Sequence, residues 1–164
     1  MVRVIPNLRI MEISDYINEM DAHSPCVRGA KMMREAATRS DVFKCIADNA
    51  NSDFLLASMR DGWGPSAEDL SRIFPRRVNG PVTDNFQMWV NHSGRIPFNQ
   101  EVKRMALIDS KCCIKIPSGT VMKVLLGGDS FLNVEGDEFT YVLCNRYSGR
   151  IVGQGGVDIK VIEK

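Results

Sequence analysis

The sequence predicts an α+β chain, an N-terminal bundle of short helices followed by a small C-terminal antiparallel β-barrel. Two observations carry this. All nine Ala lie before residue 112, whereas eight of the 13 Gly fall within residues 112–164. Ala is the best helix former, and Gly collects at the turns between short strands. The spacing of apolar residues changes as well, from steps of three and four to strict alternation. The boundary is placed at residues 109–111, giving a mainly helical domain over 1–111 and a small β-barrel domain over 112–164. A chain of 164 residues, 44% hydrophobic and 25% charged, has the length to bury a core without disulfide or metal staples. No internal repeat of solenoid length is read in it, and no low-complexity tract.

The helices are placed by their start and stop residues. Ser14 is read as the cap of a helix over 15–21, and Ser24 with Pro25 opens one reaching about residue 39. Ser40 and Asp41 reopen a helix with Val42, Phe43 and Ile46 inward, and Ser52 caps a short piece that Gly62 ends. Ser66-Ala67-Glu68-Asp69 matches a capping box, with Leu70, Ile73 and Phe74 at helical spacing before Pro75. Thr83 is expected to cap a helix holding Phe86, Trp89 and Val90, and Asn99 another holding Val102, Met105 and Ala106.

In the second part Phe139, Tyr141 and Leu143 alternate with Thr140, Val142 and Cys144, and Val157, Ile159 and Val161 alternate with Asp158 and Lys160. With 114–116, 120–126, 131–134 and 150–153 the tally is about five strands. Glycines at 119, 127–128, 136, 149 and 155–156 stand between them. Closing such strands into a barrel removes their exposed edges. The run from Tyr141 through Gly149 and Gly153 to Val157 and Ile159 resembles the SH3-like barrels of the KOW and Tudor type. The second glycine comes four residues after the first where that pattern has three, and the Gly155-Gly156 pair has no counterpart in it. The resemblance covers the C-terminal third and implies a nucleoprotein role exercised through loops.

Lys and Arg number 21 against 20 Asp and Glu, so no whole-surface field attracts polyanions and any such affinity must be local. Residues 28–44 carry a balance of +3 and residues 72–104 a balance of +4, and 13 of the 21 basic residues are Arg, whose planar fork suits phosphate. The candidate nucleic-acid contacts are Arg72, Arg76 and Arg77, in and beside a Pro-bounded loop, with Arg146, Tyr147 and Arg150 around the glycine turn. A helix-turn-helix displaying Asn85, Gln87 and Asn91 is disfavoured, because the loop 75–83 is too long.

Catalytic readings have less support. The histidines are His23 and His92, and Cys26, three residues after His23, is expected to be a buried thiol on the face of Ala30 and Met33. No Cys-x-x-Cys pair, phosphate-binding glycine loop or zinc-protease motif occurs, so neither metal nor cofactor is assigned. The odd count of five cysteines, with no apolar leader and no stretch of membrane-spanning length, points to a reducing cytoplasm. The expected function is that of a non-enzymatic, cytosolic regulatory protein acting on nucleic acid or a nucleic-acid-handling complex, of the size common among bacterial and phage accessory proteins. The alternative is a protein-binding inhibitor or assembly component without nucleic-acid contact, and a small thiol enzyme comes third.

Overall fold

The protein is described by a computed structural model covering residues 10–23, 25–75, 79–83 and 85–164. Capping chemistry starts the helices. Helix α1 runs Ile13–Met20 behind Glu12, whose N–H donates to Asp15 at 2.9 Å. Helix α2 (Val27–Glu35) follows Cys26, and α3 (Arg39–Ile46) is capped by Thr38, whose hydroxyl accepts from the Asp41 N–H at 3.1 Å. Asp48 caps α4 (Asn49–Arg60), so Ser52 lies inside that helix and not at its start. The predicted box at Ser66 and Asp69 does open α5 (Ala67–Ile73), each residue bonding the other's backbone N–H. Ser24 lies outside the described residues.

Strands begin earlier than the sequence suggests: β1 Gly80–Thr83, β2 Phe86–Val90, β3 Ser93–Ile96 and β4 Arg104–Ile108 replace the helices expected around 83–91 and 99–109. All five residues of β2 are buried. A strand covered on both faces is apolar at consecutive positions, so spacings of three and four arise in it by default and imitate a helix. Then follow β5 Lys111–Lys115, β6 Val121–Gly127, β7 Phe131–Glu135, β8 Tyr141–Arg146, β9 Arg150–Gln154 and β10 Asp158–Glu163.

The pairing overturns the SH3-like antiparallel barrel. One sheet has the order β1-β2-β4-β6-β8-β10 and the other β3-β5-β7-β9. Apart from the antiparallel β1–β2 pair, every neighbour is parallel. Consecutive strands from β2 onward therefore lie in opposite sheets, and the chain winds as a parallel β-solenoid of about four turns. Residues 141–159, read as a KOW-type unit, are in fact one full turn. There β8 and β10 pair in parallel while β9 belongs to the other sheet. The rungs Phe86, Arg104, Lys123, Leu143 and Lys160 stack at spacings of 18, 19, 20 and 17 residues. This is the repeat that the sequence reading did not find. It preserves the inward or outward class of each position and not the residue, and its length drifts.

Alternation sorts the strands' side chains. Met105, Leu107, Val124, Leu126, Leu132, Val134, Val142 and Cys144 fill the solenoid interior. Phe86, Met88, Val90, Ala106, Ile108 and Leu125, on the outer face of the six-stranded sheet, pack with Phe43, Leu55, Leu56, Leu70 and Phe74 of the helical layer. Each of these Val, Leu, Ile, Phe and Met side chains, removed from water, contributes roughly 1.5–3 kcal/mol. One corner between the sheets is tied by buried serines: His92 N–H donates to Ser110 Oγ at 3.1 Å, and Ser110 N–H to Ser130 Oγ at 3.0 Å. At the next turn the corner is Gly149, with φ of +88°. Among the described residues no helix packs on the outer face of the four-stranded sheet.

Candidate functional site

Four of the six predicted contact residues, Arg72, Arg146, Tyr147 and Arg150, lie among the described residues, the first on α5 and the others at or beside the link between β8 and β9. Arg72, on α5, donates to Glu12 at 2.8 Å and to the carbonyl of Met11, and lies 3.5 Å from Asp69. It fastens the segment before α1 to the helical layer. Arg76 and Arg77 lie outside the described residues. Arg146, at the end of β8, forms a two-pronged ion pair with Glu163 of β10, its Nε donating at 3.1 Å.

Tyr147 is half-buried, and its hydroxyl donates to Asp53 Oδ1 at 2.5 Å. Burial, and then the carboxylate of Asp53, push the phenol's pKa well above its ordinary value. The glycine turn is thus a solenoid corner in which Tyr147 is held against α4 while Gly149 is exposed. Arg150 stands exposed at the start of β9.

Asp53 is the polar hub between the helices and the solenoid. Besides Tyr147 it accepts from Asn145 Nδ2 at 3.2 Å and meets Lys123 Nζ at 3.5 Å, and Arg60 lies over the Tyr147 ring at 5.8 Å. Beside it Arg104 donates to the Ala47 carbonyl and to Ser52 Oγ, both at 2.7 Å, and stacks 4.8 Å above Phe86. Most strong donors in this group point at protein acceptors, Arg104 Nε being buried without one, and together they clamp the two layers. A cleft of about 390 Å³ opens beside it, lined by residues including Cys26, Phe54, Arg60, Tyr147 and Lys164.

What the sequence reading missed is the outer face of the four-stranded sheet. The inward set there is Cys112, Ile114, Leu132 and Val134, so Lys111, Cys113, Lys115, Phe131, Asn133 and Glu135 point out. Register stacks Ser93, Lys111, Phe131 and Arg150 into one row, and Arg95, Cys113, Asn133 and Val152 into the next. Neighbours in a row are about 4.8 Å apart. Arg95 meets Glu135 at 3.7 Å and Lys111 meets Asp129 at 2.9 Å, all four side chains being at least one-third exposed. Such pairs contribute ~1 kcal/mol or less and give way readily to another anion. The alternation of Lys111 and Lys115 was legible, but which residues stand beside them depends on the rung register.

The thiols separate into three classes, with Cys45 and Cys113 half-buried between the two extremes. Cys26 is exposed, which corrects the expectation of a buried residue on the face of Ala30 and Met33. It stands at the N-terminal end of α2, where its side chain is turned away from the helical core. Cys112 and Cys144 are inside the solenoid, and burial pushes each thiol up to about 11. With a disulfide reagent at pH 8, Cys26 is expected to react within the mixing phase, while Cys112 and Cys144 react only after denaturant is added. Five fast thiols in the native protein would contradict the packing.

Among the described residues no group of three or more His, Cys, Asp and Glu is arranged to hold a metal ion, and no helix is long and apolar enough to cross a membrane. Comparison with protein-family models, with curated proteins and with solved structures finds no match, so the geometry alone carries the functional reading.

Proposed function

We infer that this is a non-enzymatic binding protein whose working surface is the outer face of the four-stranded sheet, and whose partner is a nucleic acid strand in the cytosol. The observation that carries the reading is the row Lys111, Phe131, Arg150 on three adjacent strands, with Arg95 and Lys115 on the same face. A partly exposed aromatic ring flanked by two cations fits a base and its neighbouring phosphates, the arrangement by which single strands are held without sequence preference. The β-ladder supplies rigidity, so little ordering entropy opposes binding.

A gel-shift titration with single-stranded RNA and DNA at two salt concentrations tests it. Affinity is expected to fall by roughly one log unit per log unit of salt for each phosphate neutralised. The Lys111→Ala/Arg150→Ala double variant should flatten that slope by about two units, while Phe131→Ala should weaken binding by about tenfold at unchanged slope. All three side chains lie on the surface, so the fold should persist. Absence of retention at low salt, or a slope indifferent to the double variant, removes nucleic acid and leaves the protein-binding alternative in front.

A further inference from the structure

A cleft of about 620 Å³ lies where the solenoid begins. Strand β2 is the first rung of the parallel ladder, and register sets Gln87 and Trp89 beside Met105 and Leu107, in the inward row. These two form the buried floor, at 3% and 7% exposed. Asn79 and Gly80, at the start of β1, and residues 97–101, in the link from β3 to β4, complete the lining. Both borders are fixed: Val90 N–H donates to Asn79 Oδ1 at 2.7 Å, and Glu101 N–H to Asn99 Oδ1 at 3.0 Å. A cleft with preset borders loses little entropy on binding, and its size falls within the roughly 300–1,000 Å³ of small-molecule sites.

The floor is short of hydrogen-bond partners. Trp89 Nε1–H is buried and has no acceptor in the protein, and Gln87 Nε2 meets the Met105 thioether at 4.0 Å, a weak acceptor. A buried donor left unpaired is costly, and a folded protein satisfies nearly all of them. The lining shows what kind of acceptor fits. Among the described residues it carries the carboxamides of Asn79, Gln87, Asn99 and Gln100, one carboxylate, Glu101, and no Lys, Arg or His. With no cation and a carboxylate at its border, the cleft disfavours phosphates and carboxylates. A carboxamide both donates and accepts, as a hydroxyl group does, so a polyol complements it. The partly buried Phe98 is the apolar platform, since the Trp89 ring is packed against His92 with centroids 4.6 Å apart. One platform suits the single C–H face of a pyranose ring, whereas a planar base has two faces to cover.

We propose that this cleft binds a neutral sugar of one or two rings, its hydroxyls pairing with the floor donors and the carboxamides while its C–H face rests on Phe98. The site stands independently of nucleic-acid binding, because Lys111, Phe131 and Arg150 lie on the outer face of the other sheet.

The chain holds two Trp, so its proton–nitrogen spectrum has two indole cross-peaks, and Trp89→Phe identifies the one that belongs to Trp89. Glucose, galactose, mannose, N-acetylglucosamine, maltose and cellobiose are titrated singly at millimolar concentration. At least one is expected to move the Trp89 cross-peak saturably and to leave that of Trp63 in place. Phe98→Ala and Gln87→Leu should each weaken that sugar about tenfold, whereas the Lys111→Ala/Arg150→Ala double variant should leave its affinity unchanged. A Gln87→Leu protein that does not fold leaves the decision to Phe98→Ala, on a side chain only partly buried. A Trp89 cross-peak that none of the sugars moves overturns the proposal. So does binding that Phe98→Ala leaves intact or that the double variant weakens equally. Adenosine and uridine are titrated alongside, and a cross-peak that answers to them in place of the sugars overturns it as well.

Discussion

Replacing Gly149 by Ala is expected to cost about 3 kcal/mol or more, a drop in melting temperature of roughly 10 °C for a chain of this size. Gly149 sits at φ +88°, and a Cβ there would lie 2.6 Å from the carbonyl oxygen of Ser130. That oxygen cannot yield, because it accepts the Arg150 N–H at 2.9 Å and so starts the β9 rung. The same substitution at Gly119, where φ is +79° and no atom lies within 4 Å, should carry only the cost of the left-handed conformation, about 1–2 kcal/mol. Urea titration of the two variants isolates the collision from the torsion. Equal losses in both would mean that the corner at 149 is looser than its geometry.

Arg104→Ala is expected to lose about 3 kcal/mol and to loosen the helical layer before the solenoid. The guanidinium spans the two: it bonds the Ala47 carbonyl and Ser52 Oγ on the helix side and covers Phe86 on the strand side. Burial lowers its pKa, and the carboxylates of Asp53 and Asp48 work in the opposite direction. Two hydrogen bonds from a charged donor are worth ~1.5–3 kcal/mol each, and truncation leaves their acceptors unpaired. Arg104→Lys should recover about half, since an ammonium lacks the fork to reach both acceptors. Hydrogen exchange in the variant should quicken in α3 and α4 while the amides of β6 and β7 stay protected. A loss below about 0.5 kcal/mol would show that apolar packing alone holds the layers together.

Much of the local structure was readable without coordinates, since it depends on neighbours in the chain. The box at Ser66 and Asp69 bonds residues three apart, and it opened a helix where expected. Strands at 141–146 and 158–163 overlap the alternating runs at 139–144 and 157–161, and those at 111–115, 121–127, 131–135 and 150–154 overlap the apolar segments read at 114–116, 120–126, 131–134 and 150–153, because a side chain's face follows from its own position. Gly119, Gly149 and Gly155 take the positive φ that turns require. Where both faces of a strand are covered, as in β2 and β4, the alternation disappears and the reading turned helical.

Partner choice lay beyond the sequence. An antiparallel hairpin and a solenoid corner use the same short, glycine-containing links, so nothing local separates a chain that folds back on itself from one that crosses to a second sheet. The rungs recur at 17 to 20 residues with no residue repeated, which hides the period. The candidate surface shares that origin. That Lys111 and Lys115 face outward follows from alternation, but Arg95, Phe131 and Arg150 join them only because turns of nearly equal length stack those positions. Conversely, Tyr147 looked free beside its glycine, and the packing of α4 on the solenoid bound it to Asp53, 94 residues away in sequence. Composition and spacing thus determined the helices over the first 73 residues and the strands from residue 111 onward, but not the type of the four strands between them. Tertiary structure decided which strands meet, because backbone pairing is blind to sequence and only the burial of the whole interior selects the register.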